Sequence, residues 1–140
     1  MGTRGPIRLV ALGAAALLAS ATAAVGATGA IDIREEAVAI QGGSSVLVFV
    51  ETECTLAENE VVLEGNISVS QEEASGLSGL NPICDGQRHI LPVRVETSSG
   101  TFDRGEAFAS AFLLFLDTVT GQTSQLQTSE TITIRGGGRS

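Results

Sequence analysis

His89 is the chain's only histidine, so any Ser-His-Asp or Cys-His arrangement for nucleophilic catalysis has to pass through it. Its surroundings argue against that use. The serines lie in turn-rich segments without a nucleophile-elbow pattern, and His89 alternates in phase with Leu91 and Val93, as a structural histidine on a half-buried strand does. Cys54 and Cys84 are the only cysteines. A redox or nucleophilic thiol wants a close partner cysteine or a base that lowers its pKa, and neither is nearby in sequence. Zinc would need further His or Cys ligands, and Glu72-Glu73 with Asp85 lacks the spaced oxygen ligands of a calcium loop. Gly76, Gly79 and Gly86 have no strand-to-helix context of the kind that cradles phosphates. The expectation is therefore no enzyme, no catalytic or metal residues and no cofactor.

The first 27 residues carry a different signal. Arg4 and Arg8 precede an almost unbroken apolar run from Leu9 to Leu18, and small residues continue to Ala27. That is the pattern of a secretory signal peptide over 1–27. The run is too short to span a bilayer, which takes about 20 apolar residues. Cleavage after Ala23 or after Ala27 satisfies the small-residue rule equally. A secreted chain without a membrane span is expected, and in an oxidising compartment Cys54 and Cys84 should pair as a disulfide. Closing a loop of 29 intervening residues stabilises by about 3–4 kcal/mol in the chain-entropy picture.

The whole chain has net charge −8, and the leader holds two of its eight basic residues and none of its sixteen acids. The exported part is thus more acidic still, and nucleic acid is not an expected partner because its phosphates demand clustered cations. Glu51, Glu53, Glu58, Glu60 and Glu64 read as a solvated acidic face. Tyr and Trp are absent and Phe occurs five times, so the core must be mainly aliphatic.

Period-two patterning dominates the chain beyond the leader. Val46, Val48, Val50, Thr52 and Cys54 share one face of a strand, and Val61, Leu63, Gly65, Ile67 and Val69 share one face of the next. Upstream, Ile31, Ile33 and Ala37 to Ile40 form a first strand broken near Glu35-Glu36. Gln87 to Glu96 is a strand that Pro92 pushes toward a sheet edge. Ser129 to Arg135 is the last strand, succeeded by a disordered tail at 136–140. Glu106 to Thr118 has the length and alanine content of a helix, but its glycine-turn flanks and a face of Phe and Leu too broad for a surface helix favour a strand. Gln71 to Cys84 reads as the longest irregular segment, punctuated by Gly, Ser and Pro82.

About seven short strands without helical signal indicate an all-β, antiparallel immunoglobulin-like sandwich over 28–135. Cys54 at a strand end, Gln71 closing ISVSQ, Cys84-Asp85-Gly86 with His89 shortly after, then Phe102 and Gly105-Glu106-Ala107 together resemble small secreted immunoglobulin-like proteins of high-GC Gram-positive bacteria. Leu91 departs from that pattern, which has an aromatic residue shortly after the histidine. The resemblance implies fold and export; such proteins carry no assigned activity.

The function expected on these grounds is a secreted, non-enzymatic interaction or envelope-associated module, monomeric, with an unidentified protein or envelope component as partner. The alternatives are a small-molecule carrier with a cleft between the sheets and a protease inhibitor presenting the 71–84 loop. That loop is also the expected contact surface, through Glu72, Glu73, Leu77 and Leu80, since the disulfide pins its far end and lowers the ordering cost of binding. The leader gives the first test: N-terminal sequencing of exported protein should find Ala24 or Thr28. An uncleaved chain in the membrane pellet would turn the apolar run into an anchor.

Overall fold

The computed structural model describes residues 28–136; the leader at 1–27 and the tail at 137–140 lie outside them. Eight strands succeed one another: β1 (Thr28–Ile33), β2 (Glu36–Ile40), β3 (Ser45–Thr55), β4 (Glu60–Gln71), β5 (Ala74–Gly79), β6 (Asp85–Ser99), β7 (Gly105–Asp117) and β8 (Thr123–Arg135). A single 3-10 turn at Gln41–Gly43 interrupts the β2–β3 connection. The ambiguous segment at 106–118 is the strand β7. Its inward residues Ala107, Ala109, Ala111, Leu113 and Phe115 are buried, while Phe108 on the outer face is 51% exposed. A strand with both faces apolar accounts for the helix-like breadth of the pattern.

The strands do not form the two separate sheets of an immunoglobulin-like sandwich. Seven of them close into one barrel in the order β2–β3–β6–β5–β4–β7–β8 and back to β2. Three of the seams are short, β2–β3 running only from Val38↔Leu47 to Ile40↔Ser45. β2 joins β8 in parallel over Glu36↔Thr133 to Val38↔Arg135, and β5 joins β6 only at Ser75↔Ser99 and Gly76↔Thr97. The supposed irregular segment 71–84 therefore contains the strand that bridges β4 to β6. Its Ala-Ser-Gly-Leu-Ser-Gly sequence reads as loop because glycine and serine are turn residues. In the folded chain those small side chains allow close approach. A Cβ on Gly76 would lie 2.3 Å from the Glu96 carbonyl oxygen and 2.9 Å from Val95 Cγ1.

The barrel interior is filled by aliphatic side chains from alternate positions: Val46, Val48 and Val50 of β3, Ile67 and Val69 of β4, Val93 and Val95 of β6, Ile132 and Ile134 of β8, with Phe102 and Phe115. β1 continues the path of β2 beyond a bend at Arg34–Glu35 and pairs with β3 from Thr28↔Thr55 to Ile33↔Val50, close to β8 but not paired with it. Glu130 of β8 has its pKa raised by burial and by the negative charges of Asp32 and Glu35.

At the far end of β3, Cys54 is bonded to Cys84, with Cα atoms 4.6 Å apart. The disulfide ties the end of β3 to the residue that precedes β6. Among the described residues no helix is long and apolar enough to cross a membrane.

If Gly76 is what permits the β5–β6 seam, Gly76→Ala should destabilise the barrel by about 1–3 kcal/mol, the usual cost of overpacking. Gly79→Ala should change stability far less, because a Cβ there meets nothing nearer than the Gly65 carbonyl oxygen at 4.0 Å. Denaturant midpoints of the two variants check the contrast.

Candidate functional site

A cleft of about 600 Å³ opens at one end of the barrel, between the β4–β5 turn and the β6–β7 connection. Glu72, Glu73, Asp103 and Glu106 line it, with Arg104 as the single cation. Gln71 builds its wall. The side-chain amide accepts a hydrogen bond from Asp103 N (2.7 Å) and donates to the carbonyl oxygens of Asp103 (2.8 Å) and Glu106 (3.2 Å). One amide thereby satisfies three main-chain groups and fastens the connection to the end of β4. On the opposite side, Phe102 N donates to Gly43 O (2.8 Å) and the Phe102 ring is fully buried, plugging the barrel beneath. Ser99 Oγ donates to Glu73 O (3.2 Å), which holds the other lip.

Glu72 carries strain. Gln71 pairs with Ala74, so Glu72 and Glu73 form a two-residue hairpin turn, and only the first of them has positive φ, +49°. That is the pattern of a type II′ turn, whose first position normally takes glycine. A glutamate there costs about 1 kcal/mol or more.

The four residues expected to form a contact surface are scattered. Glu72 and Glu73 line the cleft. Leu77 sits on the outer face of β5, 66% exposed, whereas Leu80 is 2% exposed in the core, its N–H donated to Gly65 O (3.0 Å). Leu80 thus supports the barrel and has no surface to offer a partner. Asp103 and Glu106 carry no signal in the sequence that marks them for this site. They lie about 30 positions downstream, Asp103 in the β6–β7 connection and Glu106 at the start of β7, and the β4–β7 pairing up to Ser70↔Phe108 together with the Gln71 clamp brings them to Glu72 and Glu73.

The histidine does have an acidic partner. His89 Nε2 and Asp85 Oδ1 are 2.9 Å apart, and the same oxygen accepts from Gln87 N (2.9 Å). Residues four apart in a regular strand would be about 13 Å apart. Here the β3–β6 register slips between Glu53↔Arg88 and Thr55↔Asp85, and Gly86 takes φ +83°, the bulge that curls Asp85 back toward the ring. Thr52 stands directly opposite His89, and its hydroxyl has no hydrogen-bond partner. At 1% exposure that hydroxyl is sealed from any substrate, so the trio lacks an accessible nucleophile. What the pair does is clamp the bulge beside the disulfide. The acids of the described residues likewise do not converge into groups of three or more that could hold a metal ion.

No family model matches this chain, and neither a curated protein sequence nor a solved structure does.

The hydrogen bond with His89, then that from Gln87 N–H, lowers the pKa of Asp85 below the ordinary carboxylate value. A carboxyl whose folded pKa is depressed stabilises the fold above its unfolded pKa, about 3.9, and loses that contribution as the pH falls through the lower folded value. Asp85→Asn should therefore melt below the parent at neutral pH, with the two curves converging in strong acid. Thermal melts across the acidic range measure it.

Proposed function

We propose that the protein is a secreted, non-enzymatic interaction module that takes a cationic segment of a partner protein or envelope component into the acidic cleft. The observation that carries this reading is the gathering of Glu72, Glu73, Asp103 and Glu106 against one Arg104 around a recess of about 600 Å³. That volume falls within the roughly 300–1,000 Å³ common for binding pockets. A concave lining with a net excess of one sign concentrates its field on counter-charges and speeds their encounter. The strained Glu72 supports the same reading, because a hairpin selected for stability alone would place glycine there. The pattern of the leader supports export.

The alternatives have less behind them. A carrier needs an apolar interior with room in it, and here Val46, Val48, Val50, Ile67, Val95 and Ile132 are buried in mutual contact inside the barrel. A protease inhibitor acting through 71–84 needs that stretch as an extended exposed loop, and its middle, Ala74–Gly79, is the strand β5.

Basic peptides or basic envelope components immobilised on a surface give the test. Glu72→Lys with Glu106→Lys should weaken capture at least about tenfold, and added salt should weaken capture by the parent as well. Leu77→Ala, on the outer face of β5, should bind as the parent does. Glu72→Gly should raise stability by about 1 kcal/mol while weakening capture. Equal binding by the charge-reversed variant would remove the cleft from consideration.

A further inference from the structure

Among the described residues, one side of β8 is left unpaired over most of its length. Thr133 donates its N–H to Glu35 O (2.7 Å), so the odd-numbered residues of β8 turn their main-chain groups away from β7. From Thr133 to Arg135 those groups meet β2. From Thr123 to Thr131 no described strand pairs with that side, although β7 pairs along the whole opposite side. β1 does not cover the gap in the plane of the sheet. It comes within 8 Å of β7 as well as of β8, measured between Cα atoms, whereas an in-plane neighbour of β8 would lie about 9–10 Å from β7. It packs beneath the sheet instead.

Folded proteins blunt such edges with lysine, proline or a bulge. β8 has none of these from Thr123 to Thr131, and its register with β7 runs without a slip. Its outward side chains there are Thr123, Gln125, Gln127, Ser129 and Thr131, all exposed and all uncharged, in a chain of net charge −8. Gln125 Nε2 already donates to Gln127 Oε1 (2.9 Å) along the strand.

We infer that this edge pairs with the same edge of a second copy, antiparallel about a two-fold axis through Gln127. The strand is self-complementary in that register. Thr123 falls opposite Thr131, Gln125 opposite Ser129, and Gln127 opposite its own equivalent. Because the odd-numbered residues all point their main-chain groups outward, each of these is a hydrogen-bonded pair, and the seam forms about ten main-chain hydrogen bonds. Glu130, the one acid in the stretch, falls opposite Ser124, so two acidic molecules meet without placing like charges face to face. A two-fold contact of this kind closes on itself and stops at the dimer.

The test uses the folded, disulfide-bonded chain in sedimentation velocity over a concentration series. The parent should pass from monomer to dimer as concentration rises. Gln127→Lys sets two lysines face to face at the axis and should weaken association at least about tenfold, as should Gln127→Glu, whereas an equimolar mixture of the two should dimerise again. Neither change touches the bonds to β7, and circular dichroism should match the parent. Gln127→Cys should give a reducible cross-linked dimer, since Cα atoms across a hydrogen-bonded pair lie about 5.5 Å apart. Gln125→Cys, facing Ser129, should not. A parent that stays monomeric, a dimer indifferent to lysine at 127, or a mixture that fails to reassociate overturns the proposal. So does an edge that takes up an unrelated extended peptide while the chain itself remains monomeric.

Discussion

Everything in this fold depends on whether the sheet can close on itself. β3 pairs along most of its length with β6 on one side and with β1 and β2 on the other, and β7 does the same between β4 and β8. Those two groups would be ordinary packed layers without the seams that join them. The joining seams are only two and three residue pairs long. The first tolerates little bulk, and Gly76 lies there, where a Cβ would meet the Glu96 carbonyl oxygen. Hydrogen bonding at the seams is a minor part of the stability. Their role is to hold the aliphatic residues of both groups in a single water-free interior, and burial of that interior is the main favourable term.

Closure also positions the cleft. Once β5 bridges β4 to β6, the turn at Glu72-Glu73 is carried to the connection between β6 and β7, and Gln71 fastens the two by satisfying three main-chain groups. Four carboxylates thus share one recess although they come from two distant parts of the chain. Their mutual repulsion is tolerable because the recess is open to solvent, where charges of one sign cost little until a counter-charge arrives. The opposite end of the barrel is organised differently. There the disulfide, the Gly86 bulge and the Asp85–His89 pair fix the start of β6, so both termini of β6 are held by specific chemistry while its middle is held by packing.

Charge is distributed unevenly over the edges. Arg34 meets Glu51 at 2.7 Å and Arg135 meets Glu36 at 2.7 Å, each at an exposed site where an ion pair contributes little on its own. These arginines offset acids beside the short β2–β8 seam and beside β1. The side of β8 from Thr123 to Thr131, with which no described strand pairs, instead carries only uncharged outward side chains.

Much of the fold could be read from the residues themselves. Alternation at Val46 to Cys54 places the inward side chains, as it does for Ile67 and Val69, but the register slip in β4 between Val62 and Glu64 turns Val61 and Leu63 outward, 42% and 53% exposed, and packs Val62 against the core instead. Two cysteines and a leader pattern sufficed to expect the Cys54–Cys84 bond. Neighbour relations were not contained in that alternation, so a sandwich and a closed barrel are equally compatible with it. The choice rested on β5, whose glycines and serines carry no periodic signal and act through close approach that exists only when β6 is beside them. For the same reason Glu72 and Glu73 were visible as adjacent acids, but their companions Asp103 and Glu106 and the core position of Leu80 were not. The sequence determines which faces are apolar and which residues are chemically available. Tertiary structure decides which of them meet, because pairing partners, the placement of a bulge and the closing of a ring depend on contacts between segments that have no local signature.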